Sequence, residues 1–279
     1  MIEVTLAKSA GFCYGVKRAV QITNEALKQY NKLYSRGNVV NNKIVVNAME
    51  LKGLKRFCNI TELNQNSNVL IRAHGITNQE LKEYEQLRCN IIDATCPNVK
   101  KIHEIVKKYA NTDYEIIIIG DKNHPEVLGI ASYAENNVNI IDNEDEVKNY
   151  DKVCVVEQTT FSKEYAQRII DKISLASKEQ IIYNTICEAS MTRQNDVREL
   201  AKTHEMVVVV GDKESANSNR LYDIAKSINK NTIFIESAEQ ININEFSSYS
   251  KVGVTAGAST PDEVINTVID KIKGEMTIK

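Results

Sequence analysis

Residues 118–130 read IIGDKNHPEVLGI, and residues 209–221 read VVGDKESANSNRL. Both stretches set Gly-Asp-Lys directly after an apolar run and follow it with polar residues that open a helix-like segment. The glycines, Gly120 and Gly211, are ninety-one residues apart, and so are two upstream cysteines, Cys96 in DATCPNVKKIH and Cys187 in NTICEASMTRQ. Each cysteine therefore precedes its glycine by twenty-four residues. The same step taken from Cys13, in SAGFCYGVKRAV, lands on Gly37 in LYSRGNVVNN. Four residues past the three glycines stand Asn41, His124 and Ser215, all polar. The strand exit is thus one of three copies of a longer unit, and the copies divide the chain at 1–95, 96–186 and 187–279.

Within each copy the pattern predicts helix, strand, polar loop, helix and strand. After Cys13, residues Val16, Ala19, Val20, Thr23, Ala26, Leu27 and Tyr30 form a stripe at helical spacing, and Val99, Ile102, Val106 and Tyr109 repeat it after Cys96. The stripe after Cys187 is weaker, with Val197, Leu200 and Ala201. KLYS, EIIII and MVVVV then lack alternation, as parallel strands covered on both faces do. VLIRAHGIT, VCVVEQTTF and VGVTAGAST supply a further apolar run per copy. Strands alternating with helices imply an α/β fold of small parallel sheets, with ligands at the carboxyl ends of the strands. Three such units related by pseudo-threefold symmetry can bring three edges, and three cysteines, to one centre.

A chain of 279 residues with 42% hydrophobic and 26% charged residues is ordinary for a globular protein. The net charge of −2 offers no basic footprint for nucleic acid. MIEVTLAKSAGF lacks the apolar core of a signal peptide, and no run approaches a membrane span, so the expected compartment is the cytoplasm. Six cysteines there are expected as thiols, metal ligands or catalytic groups rather than disulfides.

Three convergent thiolates make a three-sulfur site. An iron–sulfur cubane held by three cysteines keeps one iron open for Lewis-acid chemistry, and zinc on three cysteines also keeps one open position. Cys58, Cys89 and Cys154 have no counterparts in the other copies and read as small buried hydrophobes. His74 and His124 lie in strand-end loops, where histidine donates to phosphate or exchanges protons. His103 and His204 read as structural. Glu126, near a helix start, is either a dipole contact or a proton donor. Ser215 and Asn217 open a helix as an anion site or as a plain cap. Thr159, Thr160 and Ser259 share that edge.

GFCYGVKRA, RAHG, DATCPNVKKIH, GDKNHPEVLGI, QTTF, TIC, SANS and TAGAS, in this order, resemble the 4-hydroxy-3-methylbut-2-enyl diphosphate reductase family (IspH, or LytB). The resemblance implies a trefoil of three α/β units around a [4Fe–4S] cluster on the pseudo-threefold axis. It implies a two-electron, two-proton reductive dehydroxylation of an allylic diphosphate to isopentenyl and dimethylallyl diphosphates, the last step of the methylerythritol phosphate route, fed by a low-potential donor such as ferredoxin or flavodoxin. Cys13, Cys96 and Cys187 resemble the cluster ligands, and Glu126 the proton-delivering acid, assisted by Thr159 and His124. His74, His124, Ser215, Asn217 and Ser259 resemble the diphosphate-binding set. Two positions depart from the family pattern: Asn41 replaces a diphosphate-binding histidine, and Ala216 replaces one of two paired serines. Both fall on the phosphate rim. That pattern permits a weakened or altered enzyme, or a paralogue reducing a different allylic alcohol. Two further alternatives stand beside the reductase: a non-catalytic iron–sulfur sensor or binding paralogue with an altered phosphate rim, and a zinc hydrolase on the same three thiols.

Overall fold

The computed structural model describes residues 2–134 and 137–274. The outermost positions of the first and third expected units, residue 1 and residues 275–279, lie outside them. Three four-stranded, wholly parallel sheets organise the chain.

Strand β1 (Glu3–Leu6) opens the chain, and helix α1 (Tyr14–Gln29) leads to β2 (Leu33–Arg36), α2 (Lys43–Leu51), β3 (Leu54–Phe57), β4 (Asn68–Ile71), α3 (Asn78–Gln86) and β5 (Asn90–Asp93). The second run is α4 (Pro97–Ala110), β6 (Glu115–Ile119), α5 (Pro125–Ala131), β7 (Val138–Ile141), β8 (Tyr150–Glu157), α6 (Lys163–Ala176) and β9 (Ser177–Ile182). The third is α7 (Glu188–Thr203), β10 (Met206–Val210), α8 (Ala216–Ile228), β11 (Thr232–Ile235), β12 (Lys251–Ala256) and α9 (Asp262–Lys273).

The sheets are ordered β3-β2-β4-β5, β7-β6-β8-β9 and β11-β10-β12-β1. The first strand of each run therefore sits between the second and the third, and the chain reverses direction across the sheet there. Such a switch point leaves a crevice at the carboxyl ends of the two central strands. The three expected polar exits follow those central strands: β2 and β4, β6 and β8, β10 and β12.

Where the expectation was a first unit over 1–95, the structure differs. Strand β1 pairs with β12, with Glu3 opposite Lys251 and Leu6 opposite Val254, so the amino-terminal strand completes the third sheet. Consequently each cysteine leaves the outer strand of one sheet and starts the helix that leads to the next: Cys13 follows β1, Cys96 follows β5, and Cys187 follows β9. The twenty-four-residue spacing measures that bridge. The chain also divides into two compact bodies and not three. One is Met1–Tyr14, Asn41–Val45 and Glu188–Lys279, and the other is Gly15–Val40 and Val46–Cys187.

In the first body the MVVVV run is buried along its full length. Val208 and Val210 face α9 through Ile265, Val268 and Ile272, while Val207 and Val209 face α7 and α8 through Val197, Ala201, Leu221 and Ala225. Helices on both sides explain why the strand has no polar alternation. In the second body Ile116 and Ile118 pack with Ile102 and Val106 of α4 and Ile130 of α5. Ile116 to Ile119 are all fully buried, each contributing roughly 1.5–3 kcal/mol. A smaller core gathers Val69 and Ile71 of β4 with Phe57 and Tyr84. No helix among the described residues is long and apolar enough to cross a membrane.

Candidate active site

The second body carries Cys96, Cys187, His74, His124, Glu126 and Thr159. At the β6 exit, Gly120 is forced by close approach: a β-carbon there would stand 2.8 Å from side-chain carbons of Gln158 and Val127. Gln158 Oε1 in turn accepts the Asp121 amide at 2.9 Å, which shapes the turn. His124 caps α5, its Nδ1 accepting the Glu126 amide at 3.2 Å. That bond makes Nδ1 the acceptor and leaves Nε2–H as the donor.

Glu126 is 2% exposed. Its Oε1 accepts the Thr159 amide at 2.7 Å and its Oε2 accepts the Thr159 hydroxyl at 2.8 Å. Burial raises the carboxyl above its ordinary pKa, against the pull of the two Thr159 bonds. A carboxyl whose pKa is raised by burial, and which is already bonded to a hydroxyl, is a candidate for proton delivery. His74 and His124 meet edge to face, ring centroids 5.6 Å apart. Burial, with Arg72 adding like charge, pushes His124 down to about 4. Burial also pushes His74 well below its ordinary value, helped by His124 and Arg72. Both imidazoles are therefore neutral donors at physiological pH.

The first body carries Cys13, Asn41, Ser215, Asn217 and Ser259. Ser215 caps α8, accepting the Ser218 amide at 3.3 Å. Asn217 is 6% exposed, and its Nδ2 has no hydrogen-bond partner among the described residues. A buried amide donor left unpaired is costly unless a ligand completes it. The Ser259 hydroxyl donates to the Asn41 carbonyl at 2.7 Å, and Asp212 accepts the Lys43 amide at 2.9 Å. Ser259 thus anchors the 41–45 segment and would have to turn its proton away from Asn41 to meet an anion. Sequence reasoning passed over Gln158 and Asp212. Their signal was a polar residue adjoining a strand end, which is too common to single out.

The cysteines share one local geometry. Cys96 bonds through its amide to Ala73 O at 2.9 Å, Cys187 to Thr159 O at 3.0 Å, and Cys13 to Ala258 O at 3.1 Å. Each is half-buried and immediately precedes a helix, where backbone N–H groups favour negative charge. Each is also tied to the loop bearing His74, Thr159 or Ser259. Within either body, no three His, Cys, Asp or Glu side chains among the described residues stand at metal-binding distances. The three cysteines are divided two and one between the bodies. The remaining cysteines differ: Cys154 is fully buried with its thiol pushed up to about 12, Cys89 is raised by burial, and Cys58 is exposed. His103 packs on Tyr133 with centroids 4.5 Å apart, and His204 meets Leu200 O, so both are structural as expected.

Known proteins resemble this chain over nearly its whole length. A protein named 4-hydroxy-3-methylbut-2-enyl diphosphate reductase from Caldanaerobacter subterraneus is 38% identical, over 98% of this chain and 97% of its own. The Clostridium perfringens protein of that name is 41% identical, over 97% and 98%. A solved (E)-4-hydroxy-3-methyl-but-2-enyl diphosphate reductase, described as the terminal enzyme of the non-mevalonate pathway, matches 98% of this chain and all of its own, with TM-score 0.70 and 35% identity. The E-1-hydroxy-2-methyl-but-2-enyl-4-diphosphate reductase of Plasmodium falciparum superposes with TM-score 0.91 at 28% identity, over 96% of this chain and 87% of that one. Since the model described as LytB protein matches residues 4–273, nearly the whole described chain, this protein belongs to the LytB family.

Proposed function

We propose that this chain reduces (E)-4-hydroxy-3-methylbut-2-enyl diphosphate to isopentenyl and dimethylallyl diphosphates, with a [4Fe–4S] cluster on Cys13, Cys96 and Cys187. The observation that carries the reading is Glu126, buried with both oxygens bonded to Thr159 beside two neutral histidines. A sensor would have no use for that acid–hydroxyl pair. The donor set suits the cofactor, because iron–sulfur clusters take cysteine thiolates and each sulfur here sits at the start of a helix.

When bound, the cluster supplies electrons and an open Lewis-acidic iron at the substrate's hydroxyl end. The reaction consumes two electrons and two protons; the C4–O bond breaks, the oxygen leaves as water, and a C–H bond forms on the allyl group. Glu126, in its protonated form, gives its proton to the Thr159 oxygen as the Thr159 hydroxyl releases its own toward the leaving oxygen. This runs the observed hydrogen bond in the opposite sense. His74 and His124 donate from neutral rings to the diphosphate. Asn217 offers its unpartnered amide, and Ser215 and Ser259 their hydroxyls. Asn41, in place of the family histidine, contributes a donor that cannot become cationic. Electrons come from a low-potential donor such as ferredoxin or flavodoxin in the cytoplasm, with no role for nucleic acid or membrane.

The test is anaerobic turnover of the allylic diphosphate with a reduced low-potential donor. Both five-carbon diphosphates are expected as products. Protein with a full iron complement and cluster absorbance that leaves the substrate unchanged would overturn the reading.

A further inference from the structure

Arg72 follows β4 directly and stands two residues before His74. Its Nε donates a long hydrogen bond, 3.4 Å, to the Gly75 carbonyl, and the Gly75 amide bonds to the Arg72 carbonyl at 3.0 Å. The side chain is thereby folded over its own turn. Its Nη1 lies 3.0 Å from the point a β-carbon on Gly37 would occupy. Gly37 has φ of 74° and opens the GNVVNN loop, whose Val39 carbonyl accepts the Ala73 amide at 3.2 Å. The guanidinium therefore fills the gap between the β2 and β4 exits. Only glycine at 37 allows both the left-handed backbone and that approach.

This charge has no acid of its own. Glu80, the carboxylate that acts on it most strongly, is engaged by Arg36 at 3.2 Å and by the Thr77 amide and hydroxyl. Among the described residues no carboxylate forms an ion pair with Arg72, although burial lowers its pKa from the ordinary value. The guanidinium nonetheless stays protonated at any physiological pH. A partly desolvated, unpaired cation is costly until an anion reaches it.

The other donors of these loops cannot balance a diphosphate. His74 and His124 are neutral, and Arg72 itself contributes to keeping them so. Lys122 pairs with Asp142 and Glu146, and Arg36 pairs with Glu80. A fixed cation among neutral donors favours the ligand with more negative charge.

We propose that Arg72 is the permanent positive charge of the phosphate rim, selecting a diphosphate over a monophosphate at the loops that bear His74 and His124. The proposal rests on the diphosphate reading of those loops.

Calorimetric titration of the full-length, cluster-loaded, oxidised protein tests it, because without an electron donor no turnover intervenes. The ligands are (E)-4-hydroxy-3-methylbut-2-enyl diphosphate and isopentenyl monophosphate. Arg72→Gln should lose on the order of tenfold in affinity for the diphosphate and clearly less for the monophosphate. Its Kd should also depend less steeply on salt. Arg72→Lys should keep most of the affinity, and it keeps the test open if the glutamine variant fails to fold. Arg72→Gln binding the diphosphate within twofold of wild type would overturn the assignment, as would both variants weakening the two ligands alike. If His74→Asn and His124→Asn bind normally while Arg72→Gln does not, the histidine reading fails and Arg72 stands; the reverse pattern removes Arg72 alone.

Discussion

After β6 and after β10 the backbone makes one and the same turn. Asp121 receives the amides of Asn123 and His124, at 2.9 and 3.0 Å; Asp212 receives those of Glu214 and Ser215, at 2.8 and 3.0 Å. The fourth residue past the glycine then caps a helix, His124 in one case and Ser215 in the other. Two residues further on, both exits bury a polar side chain, Glu126 or Asn217. There the likeness stops. Thr159 satisfies Glu126 with two bonds, whereas Asn217 Nδ2 is left without a partner. The first exit holds a buried carboxyl bonded to an amide and a hydroxyl; the second holds an open amide donor. One backbone device thus carries two different sets of polar groups, decided by side chains four and six places past the glycine.

The largest expected effect falls on the proposed cluster ligands. Serine in place of Cys13, Cys96 or Cys187 should abolish turnover and the visible cluster absorbance together, while Cys58→Ala, Cys89→Ala and Cys154→Ala keep both. A serine variant with unchanged iron content would remove its cysteine from the proposed site. Next is the proton side of the comparison. Glu126→Gln keeps size and hydrogen bonding but carries no acid, so kcat should fall by ~10²–10⁴ with the cluster intact. A near-normal kcat would reduce Glu126 to a helix-terminal carboxylate.

A stability measurement separates site from scaffold. His103 is buried and its pKa is pushed down to about 4, first by burial and then by Lys107. The unfolded chain binds that proton near ~6.5 and the folded chain only near 4, so stability is full above pH 6.5 and drains away as pH falls toward 4. Between pH 7 and pH 5 the wild type should lose about 2 kcal/mol more than His103→Gln in urea unfolding. Equal losses would mean the folded protein protonates His103 freely.

The smallest effects fall on the anion-binding side. Asn41→His should tighten diphosphate binding roughly tenfold at low pH, since a charged hydrogen bond is worth more than a neutral one. Measured by calorimetry, the gain should fade as pH rises through the imidazole's range near ~6.5. Constant affinity at every pH would mean the loop has been reshaped around asparagine. Ala216→Ser restores only a neutral hydroxyl and should add less than Asn41→His.

The glycine and cysteine spacing, with the unbroken apolar runs, made the three parallel sheets legible beforehand. A strand buried on both faces must be apolar throughout, and a repeated turn must repeat its glycine. The candidate site was legible where a residue's type restricts its use, as with the cysteines, His124 and Glu126. What stayed hidden depends on contacts between distant segments. Nothing in MIEVTL announces that β1 will pair with β12, because a parallel edge strand carries no mark of its neighbour. By residue type Thr159 was one hydroxyl among several, paired with Glu126 only by the family resemblance; the fold sets the two in contact across thirty-three residues. Arg72 carried no signal of its own in the sequence; the structure places its guanidinium against Gly37. By itself, then, the sequence determined the repeated unit, its covered strands and the chemical types at each exit, since these are properties of local pattern and side-chain chemistry. Only the tertiary structure decided which strand completes each sheet, which buried groups are satisfied and which wait for a ligand, because desolvation and hydrogen-bond pairing are set by neighbours in space.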